Sequence, residues 1–152
     1  MSENRFNDYI NSIERLFQSG DSKAIEKLEE AANVRLLQNL IRAIGLDDLV
    51  TVSELLAENV RLEILGPAEI PFIRNAKGQE QMLEVIKQNF GAVQEQILNL
   101  NAVIAQGDTV VVMMDEEGKV QATGERYKIK GLQRFVMRDG KVELVEELFL
   151  RV

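Results

Sequence analysis

Apolar residues recur at helical spacing through the first half of the chain and in alternation through the second. Residues 3–18 carry Phe6, Ile10, Ile13 and Phe17 on one stripe, widened by Tyr9 and Leu16 and stopped by Ser19-Gly20, which predicts an amphipathic helix. Ile25, Leu28 and Ala32 then lead into a stronger stripe of Val34, Leu37, Ile41 and Ile44, with Asp21 or Ser22 as N-cap and Gly45 as C-cap. Asp47 stands where the next N-cap belongs, and Leu49, Val52, Leu55 and Leu56 predict a short helix running out near Asn59. Val60, Leu62 and Ile64 alternate with Arg61 and Glu63 as a half-buried strand, which Gly66-Pro67 breaks. After a loop holding both prolines, Met82, Leu83, Ile86 and Phe90 predict a helix over Gln79–Phe90 that ends at Gly91.

From there the periodicity is two. Leu98, Leu100, Ala102 and Ile104 alternate along Gln96–Ala105; Gly107-Asp108 turns; Thr109–Met114 is a β-rich run; and Glu117-Gly118 reads as the next turn. The segment Ala122–Val152 closes the chain as a hairpin about Arg138-Asp139-Gly140-Lys141, since Asp-Gly supplies the positive φ a tight turn demands. In its second strand Val145, Glu147 and Phe149 share one face, and Leu144, Glu146, Leu148 and Leu150 share the other. Helices followed by a run of strands predict an α+β domain with helices on one face of a curved sheet, and the short connections among the last strands disfavour a βαβ design. No internal repeat or low-complexity segment interrupts the pattern.

Composition narrows the chemistry more than the fold. The 152 residues fit one domain, 45% apolar and 28% charged without a run of one sign, as in an ordinary soluble globular protein. A net charge of −7 and no basic cluster argue against nucleic acid or an anionic membrane as partner. The chain has no cysteine and no histidine. That removes disulfides, thiolate nucleophiles, the usual histidine acid/base and the commonest zinc ligands, leaving carboxylates, tyrosine, lysine and arginine. Two acids such as Asp47-Asp48 read as helix capping and not as a metal site. The first twenty residues are charged throughout and show neither a signal peptide nor a membrane span, so a cytoplasmic location is the expectation.

Four strings in order resemble the SnoaL-like polyketide cyclase group of the nuclear transport factor 2-like superfamily. They are LIRAIGLDDLVTVSELLAENVRLE (Leu40–Glu63), RNAKGQEQMLEVI (Arg74–Ile86), VIAQGDTVVVMM (Val103–Met114) and TGERYKIKGLQRFVMRDGKVELVEELF (Thr123–Phe149). The resemblance divides the chain into an N-terminal helical extension over residues 1–32 and a SnoaL-like domain over 33–152. It implies a cone-shaped α+β barrel, a strongly curved antiparallel sheet closed by helices around a cavity. It also implies, as is common in the superfamily, a homodimer through the outer sheet face; no cofactor is expected. In ketosteroid isomerase, a relative, the first-helix tyrosine falls at Leu40, the general-base aspartate at Ile64 and the neutral carboxylic acid at or beside Gln133, so that catalytic set is missing. In limonene epoxide hydrolase, another relative, the first-strand tyrosine and asparagine fall at Leu62 and Ile64, the arginine and aspartate at about Met114 and Glu116, and the last-strand aspartate at Glu147.

Fold likeness does not fix activity. Two readings therefore stand side by side: a module whose cavity holds an apolar small molecule, and a cofactor-independent cyclase, isomerase or hydratase using carboxylate acid/base chemistry. Glu147 is the catalytic candidate, because a carboxylate among Val145, Phe149, Ile64 and Met114 is poorly solvated and its pKa rises toward neutrality. Its bland alternative is a solvated edge, or an ion pair with Arg134 or Lys128. Leu40, Leu62, Ile64, Met114, Ile129, Val145 and Phe149 are expected to line the pocket, with Gln133 as an amide that a ligand or water must satisfy. Tyr127 shares the cavity-facing parity of Ile129 and Gln133; it either donates to a substrate oxygen or stands at the mouth with its hydroxyl in water. Glu116, beside the expected turn at Glu117-Gly118, reads as a solvated acid unless its strand runs longer. Arg74 reads as a surface residue or an anion holder at the rim. Met113 and Met114 read as core filler or as lining of a tolerant pocket.

Overall fold

Helix α1 (Ala24–Gly45) turns Val34, Leu37, Leu40 and Ala43 into the core, with Leu37 fully buried, while Leu28 stays exposed. The computed structural model describes residues 24–152. The helix predicted over residues 3–18 and the caps at Asp21 or Ser22 lie outside the described residues. Helix α2 (Leu49–Leu55) is capped by Asp48, one residue later than the pattern placed it: the Asp48 carboxylate accepts from the Thr51 backbone N–H at 3.2 Å and from its hydroxyl at 2.6 Å. Asp47 is spent instead in the turn that leaves α1, at φ 55°, a left-handed conformation that aspartate tolerates.

The chain passes from Leu55 directly into strand β1 (Leu56–Leu65), so the short helix ends before Asn59 and the strand begins before Val60. The reason is tertiary: Leu56 pairs with Val142 of the last strand and is fully buried, and that pairing overrides its helical spacing. The proline loop contains a short strand the pattern did not show, β2 (Asn75–Lys77), which sets Ala76 opposite Leu62. Helix α3 (Gln79–Gly91) follows and buries Met82 and Val85. The remaining strands form an antiparallel meander: β3 (Val93–Gln106), β4 (Thr109–Val120), β5 (Arg126–Arg138) and β6 (Lys141–Arg151). Strand β4 runs straight through Glu117-Gly118, and the expected turn there does not form.

The six strands lie in the order β2-β1-β6-β5-β4-β3. Strands β1 and β6 are parallel, the other neighbours antiparallel, and the sheet is open, its outermost strands being β2 and β3. Register shifts interrupt β3 twice and the β5–β6 pair once, the kind of irregularity that bends strands. One face of this sheet, carrying Leu62, Ile64, Val110, Val112, Phe135 and Val145, joins Leu37, Leu40, Met82 and Val85 of the helices in a single apolar core. This is the α+β arrangement that the order of elements predicts. The helices are held by one face only, and the space they leave above it becomes the site.

Candidate functional site

A cavity of about 200 Å³ opens between α1, α3 and the inner face of the sheet. Of the residues the sequence proposed for a pocket, Leu40, Leu62, Ile64, Met114, Gln133, Val145 and Glu147 line it. Ile129 and Phe149 instead line a smaller chamber of about 30 Å³, which shares Phe72, Met114, Glu116, Gln133 and Glu147 with the first. Tyr127 lines neither. It is buried on the inner face of β5, and its hydroxyl donates to Glu116 Oε2 at 2.7 Å, where the sequence offered it a substrate or bulk water.

Most of the cavity wall is apolar, and its polar groups belong chiefly to the sheet: Gln96 on β3, Glu116 on β4, Gln133 on β5 and Glu147 on β6. Period-two geometry puts them there, since each strand alternates between a face turned to the helices and a face turned away. Glu147 accepts a hydrogen bond from the Gln133 side-chain amide directly opposite it in the β5–β6 ladder. Neither cation weighed as its partner is available, because Arg134 pairs with Glu146 and Lys128 with Glu117, both on the outer face. Burial therefore dominates. It pushes the Glu147 carboxyl up to about 7, the Gln133 hydrogen bond pulls the other way, and the charge of Glu116 adds to the rise.

Glu116, read from the sequence as a solvated turn acid unless its strand ran longer, takes the second course. With β4 extended to Val120, it continues the inward parity of Val110, Val112 and Met114 and is only 9% exposed. That parity was the available signal, masked by the turn-like Glu117-Gly118. Burial raises its pKa, opposed by hydrogen bonds from Tyr127 and Gln96. Burial, the Glu116 charge and donation to that carboxylate all hold the Tyr127 phenol above its usual range.

Side chains brace the rim, and Arg74, read as a surface residue or an anion holder, is among them, its Nη1 buried without a hydrogen-bond partner among the described residues. Arg74 Nη2 donates to the Pro67 and Ile70 carbonyls at 2.6 and 3.0 Å, and its guanidinium stands 5.4 Å from the Phe149 ring centroid. Phe72 meets Phe149 edge-on at 6.0 Å, and Asn89 clasps Ile73, accepting from its N–H at 2.7 Å and donating to its carbonyl at 3.3 Å. The two adjacent methionines part company, Met114 facing the cavity and Met113 lying 41% exposed on the outer face. Among the described residues, no three histidine, cysteine, aspartate or glutamate side chains gather as a metal site. No helix among them is long and apolar enough to cross a membrane.

Solved structures share this architecture. An NTF2-like protein of Burkholderia xenovorans LB400 superposes with a TM-score of 0.67 at 20% identity, over 78% of this chain and 89% of that one. A protein of Jannaschia sp. CCS1 assigned as a SnoaL-like polyketide cyclase gives 0.66 at 18% identity, over 86% and 91%. An LEH-like epoxide hydrolase of M. tuberculosis gives 0.59 at 16% identity, over 78% and 83%. At such identities the likeness is one of fold, the α+β cone. No functionally curated protein matches the sequence. The sequence profile of the SnoaL-like domain, however, matches residues 37–145, most of the chain, ending two residues before Glu147, so the protein belongs to the SnoaL-like domain family.

Proposed function

We propose that the cavity takes up a compact, mainly apolar small molecule by one oxygen-bearing end, and that Glu147 moves a proton at that end without a cofactor. The observation that carries this reading is a carboxyl in an apolar cavity, partnered by an amide and, among the described residues, by no cation. Near neutral pH such a group is shared between its acid and base forms, which suits general acid/base work. As carboxylate it accepts a proton from the carbon beside a carbonyl. As acid it returns that proton to another carbon of the same molecule, or gives it to an opening epoxide or departing hydroxyl. The reading draws on the kinds of protein that share the fold, a polyketide cyclase assignment and an epoxide hydrolase.

A second reading keeps the binding and drops the chemistry. It is favoured by Leu40 and Ile64, apolar where the sequence resemblance places the tyrosine and aspartate of an isomerase. Glu147→Gln separates the two, with isomerisation of 3-cyclohexen-1-one and hydrolysis of 1-methylcyclohexene oxide as assays and calorimetry for binding. The catalytic reading expects turnover of one probe, reduced on the order of 10²–10⁴-fold in the variant while binding changes little. Binding of both probes without turnover in either protein leaves the second reading. Binding of neither rejects the cavity as their site.

We propose, further, that two copies associate through the outer sheet face. Ala102, Met113, Leu132, Leu148 and Leu65 stand opposite one another across β3, β4, β5, β6 and β1, an apolar row in which Leu148 is 45% and Leu65 55% exposed. The ion pairs Lys130–Asp115 and Arg134–Glu146 flank it. A row of this kind can meet itself across a two-fold axis.

A further inference from the structure

The two carboxyls of the cavity are held by unequal sets of donors. Glu147 has the Gln133 amide, whereas Glu116 has the Tyr127 hydroxyl at 2.7 Å and the Gln96 side chain. Tyr127 reaches Glu116 by way of a glycine. Residues 118 and 127 are direct partners in the β4–β5 ladder, so any side chain at 118 would occupy the space the phenol crosses. A Cβ there would stand 2.7 Å from the Tyr127 hydroxyl oxygen and 2.9 Å from its ring carbons, closer than such atoms approach. Glu116 lies two residues before Gly118 on the same face, and the ring laid over Gly118 delivers its hydroxyl there.

We propose that Tyr127, seated on Gly118, is a positioning residue that holds Glu116 as the fixed anion of the cavity and leaves Glu147 as the carboxyl that exchanges a proton with the substrate. The proposal rests on the acid/base reading of Glu147 given above. Two carboxylates in one poorly solvated chamber resist being charged together, so near neutrality the pair keeps one proton. That proton goes to the carboxyl with fewer donors, which is Glu147. Among the described residues, no other charged side chain lines the main cavity. The cavity receives only apolar side chains and the amides of Asn89 and Gln96 from α1, α3, β1 and β3. Among the described residues, Asp115, Glu117, Lys128, Lys130, Arg134 and Glu146 form their ion pairs on the outer face. Arg74 is the nearest cation, outside the cavity lining, with Nη2 held by the Pro67 and Ile70 carbonyls and its guanidinium over the Phe149 ring. A cavity with a permanent negative charge repels carboxylates and phosphates. Its substrate is therefore an uncharged ketone, alcohol or epoxide, not an organic acid.

The test is a carboxyl-carbon NMR titration of Glu116 and Glu147 in the full chain, wild type against Tyr127→Phe, which keeps the ring and its packing. Loss of the hydroxyl should raise the Glu116 midpoint and lower that of Glu147, each by about one unit, because a less readily ionised Glu116 no longer burdens its neighbour. Gly118→Ala, which displaces the ring, should move both midpoints the same way. Unchanged midpoints in Tyr127→Phe, or midpoints that move together, overturn the proposal. An effect in Tyr127→Phe with none in Gly118→Ala overturns the role of the glycine. The outcome is independent of the turnover assay: loss of activity in Glu147→Gln with unmoved midpoints leaves the acid/base reading standing and removes Tyr127 from it.

Discussion

Glu147 has a thermodynamic signature apart from any substrate. Its carboxyl is pushed up to about 7 in the fold against about 4.3 in an unfolded chain, so between those values the folded state binds more protons than the unfolded one. The stabilisation linked to this group is whole below about pH 4 and is lost as pH rises through about 7, a change of at most about 4 kcal/mol. Glu147→Gln removes the titration, so urea unfolding should show the variant gaining on wild type between pH 5 and pH 8. A constant difference across that range would mean the carboxyl is solvated in the fold. Glu147 was legible in the sequence because alternation groups it with Val145 and Phe149 and the family resemblance turns that face to the cavity. Glu116 was not, since Glu117-Gly118 looks like a turn until one knows that Tyr127 lies on that glycine. A glycine placed to make room for an aromatic ring carries the same letter as one placed to turn the chain.

At the scale of elements, the sequence was most readable where the signal is local. The hairpin between β5 and β6 turns at Asp139 and Gly140 with φ of 53° and 73°, the left-handed pair that Asp-Gly announces. Gly140→Ala should therefore cost about 1 kcal/mol, read as a lower urea midpoint with an unchanged denaturant slope, and no loss would mean the turn can adopt another type. The elements that depend on distant partners were hidden. Strand β1 takes Leu56 from the helical pattern because Val142 is waiting for it, and β2 exists because Ala76 finds Leu62 across a loop. The β1–β6 pairing is parallel, and nothing in either strand's own alternation distinguishes that orientation from its reverse.

For the whole molecule, the proposed association through the outer face predicts a dimer in sedimentation velocity and a monomer in the double variant Met113→Arg, Leu65→Arg, whose positions line neither chamber of the site. A wild-type monomer at micromolar concentration would remove the proposal. The strand order has a consequence of another kind. Strand β6 comes last in sequence yet lies between β1 and β5, so the sheet has no middle until β6 has been made. During synthesis the emerging chain holds two half-sheets, each with a raw edge, and Glu147 is absent from a cavity that has no floor. Joining them requires closure between remote parts of the chain, which is slow compared with forming a hairpin. A ribosome that stalls before residue 141 is thus left with a chain of open sheet edges for the cell's chaperones and proteases to deal with.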